Sequence, residues 1–231
     1  MNVRSPELKP LAVCLVSGGL DSAVTVAVAQ RDGFDTRFLF VDYGQKTANK
    51  ERKSATALAE HFEAVSLNVV RLPWLRSFGG SGLFRRDVPL TQANEKFEYV
   101  PFRNSILLAV ATALAEVSDA DRVYIGSTGS DRIAPDNSPE FVWAFQQLVR
   151  LGTMLKTDIT ISAPLIEKNK TQVIQTGVDL GVPFEKTWSC HNTTKLACGG
   201  CSNCRSRQTA FQSLGLIDPL KYKTAKLGSV L

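Results

Sequence analysis

The amino-acid sequence predicts an α/β fold built on a doubly wound, mostly parallel, Rossmann-like sheet. Short runs of aliphatic and β-branched residues alternate with longer stretches whose apolar residues recur every three to four positions. Two glycines separate the first such run from the first helical stretch, as in folds that bind phosphate where a strand meets a helix. With 44% hydrophobic residues in 231 positions, the chain can bury a sizeable core.

Each element is predicted from its own pattern. The predicted strands are 11–16, 36–41, 66–71, 122–125 and 158–161. The predicted helices are 21–31, 46–62, 104–117, 139–156 and 171–180. Strands that alternate with helices favour a parallel sheet with helices on both faces. Residues 74–100, with Gly-Gly-Ser-Gly at 79–82, show little periodicity and are interpreted as a mobile loop or a lid.

Composition limits the classes of function. The net charge of +5 suits a polyanionic ligand, but Lys and Arg are scattered, so an ordinary basic surface fits as well and nucleic acid is not the expected partner. Arg4, Glu7 and Lys9 interrupt the N-terminus, and no apolar run approaches the roughly 20 residues that span a bilayer. A cytoplasmic protein without a membrane partner is expected.

Residues 17–22, Ser-Gly-Gly-Leu-Asp-Ser, connect the first strand to the first helix. Glycines let the backbone approach a ligand, and N–H groups at a helix start attract anions. A plain turn in which Asp21 or Ser22 caps the helix is the alternative. Hydroxyls on both sides of the glycines favour the ligand site. Because the turn lacks a lysine for the outer phosphates, we expect it to hold a departing pyrophosphate, with cleavage between the α- and β-phosphates.

Two further motifs are expected beside this turn. Asp42, Tyr43 and Gln45 follow the second strand in Phe-Val-Asp-Tyr-Gly-Gln-Lys, a motif that ends at Lys46, although Tyr43 could serve packing alone. Val-Pro-Phe-Arg-Asn places Arg103 and Asn104 at the start of a helix. An arginine there can bind phosphate in a bidentate manner, whereas Asn104 either contacts a ligand or caps the helix.

Four of the five cysteines lie close together near the end of the chain. Cys190, Cys198, Cys201 and Cys204 have the spacing C-x7-C-x2-C-x2-C, which suits a tetrahedral zinc site. An iron–sulfur cluster is the alternative metal centre, and His191 is the rival ligand. The fifth cysteine, Cys14, is expected in the core of the first strand.

The turn at 17–22 resembles the SGGxDS signature of the PP-loop ATP pyrophosphatases. The order SGGLDS, DYGQK, VPFRN, IGSTGSD, APLIEKNKTQVI and the cysteines resembles the 7-cyano-7-deazaguanine synthase (QueC) family over nearly the whole chain. The resemblance implies a PP-loop domain at 1–186 and a zinc-binding region at 187–231. It also implies a homodimer that uses ATP, Mg²⁺, Zn²⁺, a deazaguanine acid and ammonia. The acid is adenylated, converted to the amide, and adenylated again to give the nitrile.

The resemblance also assigns roles to residues. Pyrophosphate and nucleotide would be bound by Ser17, Gly18, Gly19, Leu20, Asp21, Ser22, Asp42, Tyr43, Gln45, Arg103 and Lys168. Asp21, which would hold Mg²⁺, is predicted to be catalytic with Arg103 and Lys46. Asn104, Asp131 and Asp136 would bind the deazaguanine. Lys168 and Lys170 precede a helix that Thr171 is expected to cap, and either could reach phosphate or be solvated.

Three positions depart from the family pattern. Phe102 replaces a glycine and is expected to alter the pocket wall, while Asn137 and Ser138 replace a Cys-Arg pair, with Ser138 as a plain helix cap. These departures also fit QueC-like proteins of type IV CBASS antiviral operons, in which the activated deazaguanine would pass to a protein amine. Two further alternatives are a tRNA-modifying PP-loop enzyme and a nucleotide-binding regulator without catalytic activity.

Overall fold

A computed structural model describes residues 9–130, 134–154 and 158–223. It contains a five-stranded parallel sheet in the order β3-β2-β1-β4-β5, which confirms the predicted fold class. The strands are β1 Leu11–Leu15, β2 Asp35–Asp42, β3 Ser66–Arg71, β4 Arg122–Tyr124 and β5 Thr160–Ser162.

Helices cover both faces of the sheet. They are α1 Leu20–Arg31, α2 Ala48–His61, α3 Arg103–Val117, α4 Pro139–Gly152, α5 Lys170–Asp179 and α6 Ser202–Ser213. Helix α4 ends at Gly152, short of the predicted end at 156, a position outside the described residues. The sequence did not predict α6, whose short, polar-rich run begins among the cysteines.

Successive residues of the inner strands point to opposite faces and are apolar on both. Cys14, Phe38 and Phe40 pack under α1, α2 and α5, whereas Val13 and Leu39 pack under α3 and α4. Both faces are therefore buried, as a doubly wound sheet requires. The prediction that Cys14 is a core residue is confirmed, and burial raises the pKa of its thiol above the ordinary value.

The cysteine-containing end of the chain shares the main core. Ala210 and Phe211 of α6 are buried with α1 and α5, and the Phe211 ring lies 5.3 Å from that of Phe184. Arg207 is fully buried and binds both carboxylate oxygens of Asp218. Residues on both sides of the expected boundary at 186/187 therefore contribute to one core cluster.

The segment 74–100 is more ordered than a plain loop. It contains 3₁₀ helices at Pro73–Phe78 and Gln92–Glu98. Leu83 and Leu90 are buried in a cluster with Cys190, Cys201 and Cys204, so the segment packs against the cysteine-containing end of the chain. Isolated 3₁₀ turns have no long periodicity, which explains why the sequence pattern did not predict them.

Among the described residues, no single helix is both long and apolar enough to cross a bilayer. The helices Gln92–Glu98 and Arg103–Val117 satisfy that test of length and composition only when combined across a 51° bend.

Candidate active site

A cavity of about 790 Å³ opens at the carboxyl ends of β1, β2 and β4. In the strand order, β1 is the point from which one half of the sheet continues through β2 and the other through β4. Crevices at such switch points are where open α/β sheets bind ligands. The turn after β1, the start of α3, the segment after β4 and the chain before α6 all contribute to its walls.

The turn between β1 and α1 has a backbone that only glycine fits well. Gly18 has φ +79°, and a Cβ there would lie 2.3 Å from the Glu51 carbonyl oxygen. Gly19 is the N-cap of α1, and the Ser22 hydroxyl donates to its carbonyl over 2.9 Å. The alternative prediction, in which Asp21 or Ser22 caps α1, is therefore wrong. Ser17, Gly19, Leu20, Asp21 and Ser22 all line the cavity.

A lysine from α5 supplies the charge that the turn itself lacks. The Lys170 ammonium donates to both carboxylate oxygens of Asp21 over 2.7 Å, and both residues line the cavity. Lys168, the lysine selected from the sequence, is not among the lining residues. Helix α5 is capped by Asn169 in a capping box with Gln172, so the expected Thr171 cap is wrong.

Tyr43 and Arg103 meet at the cavity wall. Arg103 Nη1 donates to the Tyr43 hydroxyl over 3.2 Å. Burial raises the pKa of Tyr43 more than Arg103 lowers it, so the phenol keeps a proton that it can donate to an anion. Gln45 accepts from the Tyr43 backbone N–H and also lines the cavity. Asp42 instead accepts from the Gly44 N–H and is not a lining residue.

Lys46 has a different environment from the one expected of a catalytic cation. Its ammonium donates to the carbonyl oxygens of Arg85 and Val88, and burial lowers its pKa. It is not among the residues that line the cavity. This geometry indicates that Lys46 holds residues 83–88 in place and argues against a catalytic role.

The proposed substrate residues are partly engaged with one another. The Asn104 backbone N–H donates to Asp136 Oδ2 over 2.7 Å, and its side-chain amide donates to the Asp136 carbonyl. Both residues line the cavity, as does Asn137, which donates to the Thr128 carbonyl. Asn104 is inside α3 and is not its cap. Asp131 lies outside the described residues.

The other two departures from the family pattern have structural explanations. Ser138 accepts from the Phe141 N–H and caps α4, as expected. Phe102 is the N-cap of α3 with φ +58°, a left-handed backbone that favours glycine. Its ring is 65% exposed and is not part of the cavity, so the expected effect on the pocket wall is wrong.

From the segment that follows β4, the sequence predicted only Asp131 and Asp136 as site residues. Gly126, Ser127 and Thr128 line the cavity, and a Cβ on Gly126 would lie 3.1 Å from the Ser22 backbone nitrogen. This glycine therefore allows the segment to pack against the start of α1. The signal was the Gly-Ser-Thr-Gly run directly after a predicted strand.

The four cysteine thiols converge on one point. Their sulfur atoms lie within 4.8 Å of one another, and Cys198 Sγ is 4.0 Å from Cys204 Sγ. A zinc–sulfur bond length of about 2.3 Å gives a tetrahedron with edges of about 3.8 Å, so these residues can hold a metal of that kind. Backbone N–H groups of Cys198 and Cys201 donate to sulfur, which favours thiolates.

His191 lies next to this cluster and is not part of it. Its Nδ1 is 3.1 Å from Glu98 Oε2, and its Nε2 is 2.7 Å from Asn203 Nδ2. Burial opposes protonation of the ring, but the hydrogen bond and the charge of Glu98 outweigh it, so the pKa of His191 is raised. Glu98, His191 and Asn203 all line the cavity, a grouping that the sequence did not predict.

The fold and the site define an α/β protein with a glycine-containing turn in a cavity of about 790 Å³ and, beside it, a cluster of four cysteines that can hold a metal ion. The sequence model of the family described as "Queuosine biosynthesis protein QueC" matches residues 11–215. The chain belongs to this family.

Curated proteins of similar sequence align with most of the chain. A 7-cyano-7-deazaguanine synthase of Methanospirillum hungatei is 40% identical over 92% of this chain and 99% of its own. A protein of the same name from Methanoculleus marisnigri is 42% identical over 92% of this chain and 98% of its own. The solved NMN synthetase of Francisella tularensis is a looser structural match, with a TM-score of 0.46 and 15% identity over 91% of this chain and 79% of its own.

Proposed function

We propose that the protein converts 7-carboxy-7-deazaguanine to 7-cyano-7-deazaguanine with ATP and ammonia. The substrate carboxylate attacks the α-phosphorus, the α–β bond breaks and pyrophosphate leaves. Ammonia then attacks the acyl carbon, and AMP departs as the amide forms. A second ATP adenylates the amide oxygen and releases a second pyrophosphate, and loss of AMP and two protons then gives the nitrile. The observation that carries this proposal is family membership over 11–215 combined with an anion-binding turn inside the cavity.

The residues around the turn suit the first step. Backbone N–H groups and the hydroxyls of Ser17 and Ser22 can hold the departing pyrophosphate. Lys170 and Arg103 bring positive charge to the same cavity, where negative charge develops on the leaving group. The Asp21 side chain is 31% exposed and would hold Mg²⁺, which when bound neutralises phosphate charge.

We further propose that the metal is zinc, present at about one ion per chain. Four thiolates close a tetrahedral site and leave no open position, so the metal supports the fold and takes no part in the reaction. Metal analysis of the purified protein checks the identity, and Cys201→Ser should lose both metal and solubility because binding energy at such sites is folding energy. Iron and sulfide without zinc would contradict the assignment.

The oligomeric state and the cellular compartment are further proposals that follow from family membership. A homodimer is supported by exposed apolar side chains on α4, among them Trp143, Leu148 and Leu151. Sedimentation of the wild type and of Trp143→Ser tests this, with a shift toward monomer expected for the variant. The cytoplasm is the expected compartment, since a reducing environment keeps the four thiols available to metal.

Product analysis tests the reaction. With the deazaguanine acid, ATP, Mg²⁺ and ammonium as the sole amine, mass spectrometry should detect the nitrile and about two AMP for each product. Ser17→Ala and Asp21→Ala should lose AMP formation and keep the fold, whereas Ser213→Ala, at the exposed end of α6, should match the wild type. Accumulation of ADP, or arrest at the acid or amide with deazaguanine attached to a partner protein, would contradict the proposal.

A further inference from the structure

A second cavity, of about 360 Å³, lies in the first half of the segment 74–100. It is lined by Arg76, by residues 79–81 and by residues 84–87. Among the described residues, none lines both this cavity and the larger one at the strand ends. The second cavity is therefore a separate site, which the proposed reaction does not use.

We propose that the second cavity binds a small phosphate-bearing anion. The inference goes beyond the proposed function, because the turn at 17–22 that would bind pyrophosphate lines the larger cavity. Free pyrophosphate and the phosphate group of a nucleotide such as AMP share the chemistry that this site would recognise.

The second cavity carries an excess of positive charge. Three arginines line it, and all three are exposed, so an anion can reach them. Arg85 Nη2 lies 2.7 Å from Asp87 Oδ2, which pairs one guanidinium with the only carboxylate among the lining residues. Among the described residues, no carboxylate forms an ion pair with Arg76 or Arg86. Two guanidinium groups in one concave surface attract anions, and their paired N–H donors match phosphate oxygens.

The glycines of this cavity add backbone donors to the charge. Gly79 and Gly80 have φ +71° and +79°, and a Cβ on either would meet no atom within 4 Å, so open space borders the backbone. In the part of the chain that the structure describes, the N–H groups of Gly80 and Ser81 donate to no acceptor. Ser81 is buried, and a buried N–H group without a partner costs stability. A bound phosphate supplies acceptor oxygens for these two consecutive N–H groups.

The second cavity is a neighbour of the larger one. Phe84 lines the second cavity and Tyr43 lines the larger one, and their rings make an edge-to-face contact with centroids 6.1 Å apart. A Cβ on Gly44 would lie only 2.9 Å from Arg76 Cβ, so the backbone after Tyr43 packs directly against this arginine. An anion bound at Arg76 therefore lies beside the chain that forms one wall of the candidate active site.

Hydrogen exchange followed by mass spectrometry on the full-length protein as purified tests this inference. Sodium pyrophosphate and AMP are the probes, and sodium chloride at the same ionic strength is the reference. Pyrophosphate should slow amide exchange at 79–82, because N–H groups that lack acceptors gain them. Exchange at 17–22 reports on the larger cavity in the same sample, so the two sites are read separately.

Arg76→Gln combined with Arg86→Gln removes the two unpaired guanidinium groups. The affinity measured from exchange at 79–82 should fall by about 10-fold for each group, since hydrogen bonds to charged groups have about that effect. Any effect of pyrophosphate at 17–22 should stay as in the wild type. Arg52→Gln combined with Arg71→Gln is the matched control, because it removes the same charge at exposed positions outside both cavities. Metal content and thermal unfolding show that the variants are folded.

The two probes distinguish the sources of the phosphate. Slower exchange at 79–82 with pyrophosphate supports a site for the free anion, and slower exchange with AMP alone supports a site for a nucleotide. Exchange that neither probe changes, that sodium chloride slows equally, or that the Arg76 and Arg86 double variant still slows to the wild-type extent overturns the inference. Each of these results leaves the proposed function intact, because product analysis tests that function separately.

Discussion

Lys170 and Asp21 form an ion pair across 149 positions of sequence, with the ammonium 2.7 Å from each carboxylate oxygen. The pair joins the start of α5 to the start of α1 inside the cavity. A turn that has no lysine of its own thereby receives one from a distant helix. This cation lies beside the turn that we propose binds the departing pyrophosphate.

Lys170→Ala should therefore slow AMP formation by about 10²- to 10³-fold, the loss typical of removing one group that stabilises developing charge. The free energy of unfolding should change little, because a partly exposed ion pair contributes about 1 kcal/mol or less to it. Pyrophosphate release and thermal unfolding measure the two effects.

Lys168→Ala is the matched control for this substitution. Its side chain is not part of the cavity wall, so AMP formation close to the wild-type rate is expected. If Lys168→Ala slows AMP formation more than Lys170→Ala does, Lys168 and not Lys170 binds the phosphate.

Asn192 links the cysteine cluster to the segment that borders the cavity. Its side chain accepts from the Leu90 N–H and donates to the Leu90 carbonyl, as a neighbouring strand would. The same amide lies 3.4 Å from Cys198 Sγ. Metal at the cysteines should therefore hold Leu90 and the chain around it in place.

Asn192→Ala should raise amide hydrogen exchange at 83–92 while metal stays bound, because two backbone groups lose their partners. Metal removal with a chelator should raise exchange over the same range. Asn68→Ala, on the edge strand β3, serves as the control and should leave exchange there unchanged. Unchanged exchange at 83–92 in Asn192→Ala would contradict the link.

The sequence predicted the parts of the site that depend on local pattern. The turn at 17–22 and the cysteine spacing are short motifs whose chemistry is evident from neighbouring residues. The Asp21 partner, the Glu98 group and the buried Arg207 depend on contacts between distant segments, which periodicity does not encode. The start of α5 is different, because its cap could have been predicted from the sequence. Asn169 and Gln172 have the spacing of a capping box, whereas the predicted cap was Thr171.

Phe102 occupies a backbone conformation that costs stability. At φ +58° a side chain with a Cβ is disfavoured by about 1–2 kcal/mol relative to glycine, and the exposed ring has little packing to offset this. Phe102→Gly should raise the unfolding midpoint by about 2–4 °C per kcal/mol gained. The KM for the acid should not change, because the ring is outside the cavity.

Phe78→Gly is the control for ring removal alone. Phe78 is also highly exposed, but it is not among the residues with positive φ. No gain in stability is expected there. A drop in the unfolding midpoint of Phe102→Gly would show that the ring contributes more than the backbone costs.

Arg207 is fully buried, and its guanidinium donates hydrogen bonds to a carboxylate, to side-chain hydroxyls and to a backbone carbonyl. Asp218 accepts from Nε and Nη2, and the hydroxyl of Tyr222 donates to the same carboxylate. Arg207 Nη1 donates to the hydroxyls of Thr187 and Ser189, and Ser189 lines the cavity. The Arg207–Asp218 pair therefore holds residues 184–189, which precede the cysteines, in place.

Arg207→Met should lower the free energy of unfolding by about 3–5 kcal/mol, because it leaves the Asp218 carboxylate buried without its cation. The double variant Arg207→Met with Asp218→Leu should recover part of this loss, since removing both charges also removes the unpaired group. Arg52→Met, on the exposed face of α2, should change stability by less than about 0.5 kcal/mol. Denaturant unfolding of the wild type, of Arg207→Met, of Asp218→Leu and of the double variant measures the coupling, and additive losses in the double variant would contradict a buried pair.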